Sequence, residues 1–112
     1  MVRRALFIQP VVPHYRVPLF DALARRGEFE LRVLASPRFP GAPPSVEALP
    51  DWADTRHPCL RVLGNALLWQ RGLTLPSDFG PDDVLVINGN PRILSNVPLV
   101  SRARSAGAGV VW

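Results

Sequence analysis

Val84-Leu85-Val86-Ile87, running into Asn88-Gly89-Asn90-Pro91-Arg92, is the stretch that decides the fold. Four apolar residues, three of them β-branched, are too few for a helix. They suit a strand buried on both faces, central and parallel in its sheet. The five residues after it are a concentrated turn signal. Working forward, Ser95 suits a helix N-cap, with a helix over about 96–106. Pro98 falls in its first turn, and Leu99, Val100 and Ala103 form its buried stripe. Gly107 ends that helix, and Gly109-Val110-Val111-Trp112 begins a further strand.

Working backward to the start, Ala5-Leu6-Phe7-Ile8-Gln9 is a second short apolar run, closed by Pro10. A stiff loop with Pro13 and His14-Tyr15 leads to Pro18, in the first turn of a helix where proline is tolerated. Phe20, Leu23 and Ala24 recur at helical spacing, Arg25 and Arg26 suit the C-terminal dipole, and Gly27 is the stop. Phe29 to Ala35 reads as the next strand. The pattern β-α-β then favours a parallel sheet with a right-handed crossover. The fold class is α/β: a Rossmann-like parallel sheet with flanking helices.

The middle is less regular. Residues 36–58 hold six of the 13 prolines and read as a long loop, with a short helix at Val46–Leu49 as an option. Leu60-Arg61-Val62-Leu63 reads as a third strand and Gly64-Asn65 as a turn. Ala66 to Gln70 fits either an edge strand or a helical turn.

The 112 residues allow one domain. Hydrophobic residues make up 47% of the chain and charged residues 20%, enough to bury a core. A single cysteine, Cys59, excludes an internal disulfide framework and a multi-cysteine zinc site. No run of about 18 apolar residues occurs. Met1-Val2-Arg3-Arg4 before an apolar stretch imitates a signal peptide, but Gln9-Pro10 interrupts the run and no small-residue cleavage site follows. A cytoplasmic chain is expected. The net charge of +4 comes from 13 basic residues, all arginine. They are scattered rather than striped, so surface charge is expected and nucleic acid is not.

In a parallel sheet, ligands sit beyond the carboxyl ends of the strands. Two loops qualify: Gln9 to Arg16 after the first strand, and Asn88 to Arg92 after the central one. They face one crevice if their strands are neighbours. His14 can act as a base or hydrogen-bond partner. Tyr15 can stack or donate, and Arg16 can hold a phosphate or carboxylate. The alternative is a proline-stiffened turn whose aromatic ring packs on the sheet edge. In the second loop, Gly89 permits close approach or positive φ. Asn88 and Asn90 suit a polyhydroxylated ligand, or simply make the turn. Arg92 completes the set. Neither G-x-G-x-x-G, a P-loop nor G-x-S-x-G is present. Asp82-Asp83 reads as a surface turn at the wrong end of the sheet. His57 and Cys59 are too few for a metal site, and Cys59 reads as a small buried hydrophobe.

The stretch His14-Tyr15-Arg16-Val17-Pro18-Leu19-Phe20-Asp21-Ala22-Leu23, then Phe29 to Leu34, resembles the start of family-4 type glycosyltransferases of GT-B fold. Asp83 to Ser95 and Gly107 to Trp112 resemble later parts of the same proteins. The proline-rich middle matches nothing in them. The resemblance implies the incomplete N-terminal half of a two-domain sugar transferase that retains anomeric configuration, usually without a metal. It implies an acceptor, a glycan or a lipid-linked cell-envelope molecule, held by His14, Tyr15, Arg16, Asn88, Gly89, Asn90 and Arg92. A nucleotide-sugar donor would bind a missing C-terminal domain carrying paired glutamates, so no cofactor is expected in this segment. Peripheral contact with the inner face of a membrane is also implied. The first loop departs from the pattern, with prolines where many relatives have glycines. A chain ending inside an apolar strand is expected to be the front piece of a longer one, inactive alone. The competing expectations are a standalone Rossmann-like binding module and a protein whose sheet a partner completes.

Overall fold

The computed structural model describes residues 3–64 and 66–112. Met1 and Val2 of the signal-like start, and Asn65 of the expected turn, lie outside the described residues.

Five strands form a parallel sheet: β1 (Arg4–Ile8), β2 (Glu30–Leu34), β3 (Ala53–Asp54), β6 (Val84–Ile87) and β7 (Gly109–Val111). Their order is β3-β2-β1-β6-β7. β1 lies at the centre, flanked by β2 and β6, with Ala5 opposite Leu31 and Val84, and Ile8 opposite Leu34 and Ile87. The expected parallel sheet is thus present, and β1 and β6 are neighbours in it, which meets the condition for the two loops to face one crevice.

Each helix covers one face. α1 (Val17–Arg26) follows a short 3-10 turn at His14–Arg16 and ends at Gly27, whose φ of 71° suits a residue without Cβ. Its Phe20 packs edge-on to Phe7 and tilted against Trp52, at ring separations of 5.3 and 5.2 Å. Val12, Leu31, Val33 and Ala35 complete this core. α2 (Asn96–Ser105) sets Leu99, Val100 and Ala103 on the other face, against Leu6, Ile8, Leu85 and Ile87. Right-handed crossovers that step away from β1 in opposite directions put their helices on opposite faces. Among the described residues, no helix is long and apolar enough to cross a membrane.

Four expectations need correction. Leu60–Leu63 supplies a strand, β4 (Cys59–Val62), but not to the main sheet: it pairs antiparallel with β5 (Leu67–Gln70). The third strand of the main sheet is β3, hidden in the proline-rich stretch beside buried Trp52. No helix forms at residues 46–49. Ser95 makes no capping bond; its Oγ accepts the Gln70 amide at 2.9 Å instead.

Asp83 is the fourth correction. It is a buried carboxylate, not a surface turn. Its oxygens accept from the Arg4 backbone N at 3.0 Å, Arg4 Nη2 at 2.9 Å and the Gly80 N at 2.9 Å. Arg4 also reaches Asp78 at 2.8 Å and lies over the Phe79 ring. The Arg4 guanidinium holds the Asp83 and Asp78 carboxyls below the usual carboxylate range, and the two carboxylates, Asp83 first, raise the Arg4 pKa in turn. This cluster closes the amino-terminal end of the sheet.

Candidate functional site

The strand order reverses between β1 and β6. β1-β2-β3 extends to one side, β6-β7 to the other. Such a switch point opens a crevice at the carboxyl ends, because the flanking connections diverge to opposite faces there. Ile8 and Ile87 are register partners, so the Gln9 to Arg16 and Asn88 to Arg92 loops leave the sheet side by side.

The first loop is anchored before it turns. Val11 and Val12 are buried, and the Val12 amide donates to Ser45 Oγ at 2.8 Å. Pro13 is extended, and the Arg16 amide closes the 3-10 turn on the Pro13 carbonyl at 3.0 Å. His14, Tyr15 and Arg16 are all exposed. Tyr15, 61% exposed, meets the His14 ring edge-on at 5.6 Å. The alternative in which its ring packs on the sheet edge is therefore not what the fold does. A 3-10 turn ahead of the helix lifts the three side chains away from the sheet.

The second loop is two nested turns. Asn88 Oδ1 accepts the Asn90 amide at 3.1 Å, and Asn90 Oδ1 accepts the Arg92 amide at 3.0 Å. Both asparagine carbonyls thus shape the loop. Arg92 Nε donates to the Ala66 carbonyl at 3.2 Å. Gly89 is exposed, without positive φ and with open space where a Cβ would stand, so its own backbone does not demand glycine. It leaves the loop surface clear.

Beneath the loops lies a polar layer that sequence reasoning missed. Gln70, Ser36, Ser95 and Asn96 are all buried. Gln70 Nε2 donates to the Gln9 carbonyl at 2.9 Å and to Ser36 Oγ at 3.0 Å. Ser45 Oγ donates to the Ser36 carbonyl at 2.8 Å. Asn96 Nδ2 donates to the Asn88 carbonyl at 2.9 Å, while its Oδ1 is enclosed without a hydrogen-bond partner among the described residues. One glutamine thus ties the β4–β5 hairpin, the first loop and the proline-rich segment together. Only the position of Gln70 in an alternating Leu67-Leu68-Trp69-Gln70 run could have hinted that it points inward.

The rim is cationic. Residues 9–16, 35–46 and 88–96, which follow the carboxyl ends of β1, β2 and β6, contain no Asp or Glu but carry His14, Arg16, Arg38 and Arg92. Pro18 and Pro98 each remove an amide donor from a first helical turn. An anion here would be held by side chains rather than by an amide cradle.

The other candidates lie elsewhere. His57 Nδ1 is 3.1 Å from the Arg71 carbonyl, and its enclosed Nε2 is 3.7 Å from Asp54 Oδ2. Asp54 is held well below the carboxylate range, first by Arg56. Cys59 is half-buried, and burial pushes its thiol pKa up, which suits packing rather than nucleophilic attack. Comparison with protein-family models, curated proteins and solved structures gives no match.

Proposed function

We propose that this chain is the acceptor-side α/β domain of a glycosyltransferase of GT-B type. The observation that carries the reading is the switch point between β1 and β6, which sets the His14-Tyr15-Arg16 turn beside the Asn88–Arg92 loop. Tyr15 offers an exposed ring to a sugar face. Asn88 and Asn90 shape the opposite lip and have amide NH2 groups to offer hydroxyls. His14 and Arg16 favour an acceptor that carries a phosphate or carboxylate. The acceptor is a glycan or a lipid-linked cell-envelope molecule met at the cytoplasmic face of a membrane. The nucleotide-sugar donor belongs to a separate domain that these residues do not contain, so this chain alone transfers nothing.

The test is an amide NMR titration of the chain with methyl glycosides, the matching sugar 6-phosphates and a nucleotide sugar. Phosphorylated sugars should shift residues 14–16 and 88–92 more strongly than neutral ones, and the nucleotide sugar should shift neither loop. Saturable binding of the nucleotide sugar at these loops, or no response to any saccharide, would overturn the reading.

A further inference from the structure

Asn88 is followed by Gly89, and the second loop holds that pair in a reactive arrangement. An asparagine side chain is open to attack at Cγ by the backbone nitrogen of the next residue. A Cβ on that residue crowds the approach and stiffens the backbone, and glycine removes both obstacles. Gly89 is exposed, and nothing lies within 4 Å of where its Cβ would stand. Its amide makes no hydrogen bond among the described residues.

The hydrogen bonding of Asn88 adds a second observation. Its Oδ1 accepts the Asn90 amide at 3.1 Å, so the carboxamide is folded back along the following peptide. The same bond favours the chemistry. As a nitrogen adds to Cγ, negative charge develops on Oδ1. A donor aimed at that oxygen beforehand stabilises the charge, as in an oxyanion hole. Nδ2, the leaving nitrogen, has no partner among the described residues.

The other described asparagines lack these features. Asn90 precedes Pro91, which has no N–H to give up. Asn96 is buried at the start of α2, and its Nδ2 is bound to the Asn88 carbonyl. The β-branched Val97 follows it and crowds the amide.

We propose that Asn88–Gly89 is a site of spontaneous deamidation, which turns a neutral lip of the crevice into an anionic one. Base takes the Gly89 N–H proton, the nitrogen bonds to Asn88 Cγ, and the Cγ–Nδ2 bond breaks. Nδ2 takes a proton from water and leaves as ammonia, and a five-membered imide remains. Water then opens the ring at Cγ to give aspartate, or at the main-chain carbonyl to give isoaspartate. One water is consumed, one ammonia is released, and nothing is oxidised or reduced. Either product is negatively charged at neutral pH. Residues 9–16, 35–46 and 88–96 otherwise hold no Asp or Glu, so this is the first carboxylate in the stretches that carry His14, Arg16, Arg38 and Arg92. Isoaspartate also routes the backbone through the former side chain, so the carbonyl that accepts Asn96 Nδ2 becomes a free carboxylate. The inference does not rest on the sugar-transfer reading, because mass alone reports the conversion.

The test is incubation of the full chain at body temperature and mildly alkaline pH, followed by tryptic mass mapping over time. Trypsin places Asn88 and Asn90 in the peptide 72–92 and Asn96 in the peptide 93–102. Fragment spectra then locate the replacement of NH2 by OH. Conversion at position 88 should outpace that at 96 by about tenfold or more, a barrier difference of about 1.4 kcal/mol. Gly89→Ala fits the loop, since φ is not positive and the added Cβ meets nothing. That variant should slow conversion by about tenfold. Unfolding the native chain in urea removes the Asn90 donor, so conversion there should be no faster than in the folded chain. Equal rates at positions 88 and 96, an unaltered rate in Gly89→Ala, or a faster rate in urea would each overturn the proposal.

Discussion

Replacing Asp83 by asparagine removes the charge from the cluster that closes the amino-terminal end of the sheet. The native carboxylate is 6% exposed and faces a guanidinium that is 22% exposed. It also accepts two backbone amides, from Arg4 and Gly80. Asparagine keeps one acceptor oxygen but turns an NH2 toward a cluster of donors. Breaking a buried ion pair by altering one partner costs roughly 3–5 kcal/mol. Arg4 retains Asp78, through Oδ1 at 2.8 Å and the backbone carbonyl at 2.9 Å, and keeps some access to water. The cost should therefore fall near the lower limit, about 3 kcal/mol. Urea unfolding followed by circular dichroism reads this directly. With a slope of about 1–1.5 kcal/mol per molar for a domain of this size, the midpoint should drop by about 2–3 M. The pH dependence has a definite sign. The Asp83 pKa is depressed on folding, so its stabilisation is present above the unfolded carboxyl value and lost as pH falls through the lower folded one. The gap between native and Asp83→Asn proteins should be flat near neutrality and close below about pH 4. Arg4→Met with Asp83→Leu should cost less than the two single changes summed, because no unpaired charge is left. A loss below about 1 kcal/mol, or additive single costs, would refute the argument that this pair is a buried, coupled unit.

Gln70→Leu should cost about 1–3 kcal/mol and speed hydrogen exchange at Val11 and Val12, because the Gln9 carbonyl and Ser36 hydroxyl lose their donor. His14→Ala and Arg16→Ala should leave thermal stability within about 0.5 kcal/mol, since both side chains are exposed, while weakening the response to sugar phosphates in the NMR titration. Leu63→Asn should raise stability by about 1 kcal/mol in urea unfolding, by relieving the left-handed backbone. Gly27→Ala should lower it by about 1 kcal/mol: φ is 71°, and nothing lies within 4 Å of the new Cβ, so the cost is conformational alone.

What was legible in the sequence follows periodicity. Val84–Ile87 and Ala5–Ile8 are short and wholly apolar, and they are adjacent parallel strands. Phe20 and the Leu99, Val100, Ala103 stripe marked the helix faces that are buried. Neighbouring strands then put both candidate loops at one end of the sheet. What was not legible depends on distant partners. β3 pairs only two residues with β2, too few to show a period, and prolines on both sides masked it. Asp83 reads like any acidic turn residue until Arg4, 79 positions away, is placed beside it. Ser95 has the composition of a cap but spends its hydroxyl on Gln70, 25 residues away. The buried polar layer was invisible for the same reason, since no local pattern says that Gln70 and Ser36 meet.

The charge distribution separates the two ends of the molecule by task. Asp78 and Asp83 sit at the amino-terminal end with Arg4, where opposite charges cancel and hold strands. From Val84 to Trp112 there is no Asp or Glu, and none occurs in residues 9–16 or 35–46. The arginines are scattered over the chain, but His14, Arg16, Arg38 and Arg92 lie in carboxyl-end loop stretches that hold no Asp or Glu. A parallel sheet already directs its crevice toward that rim, and the hairpin turn with Leu63 adjoins the same crevice through Arg92 and Ala66. An anionic ligand would be drawn to that crevice by long-range attraction before any direct contact forms.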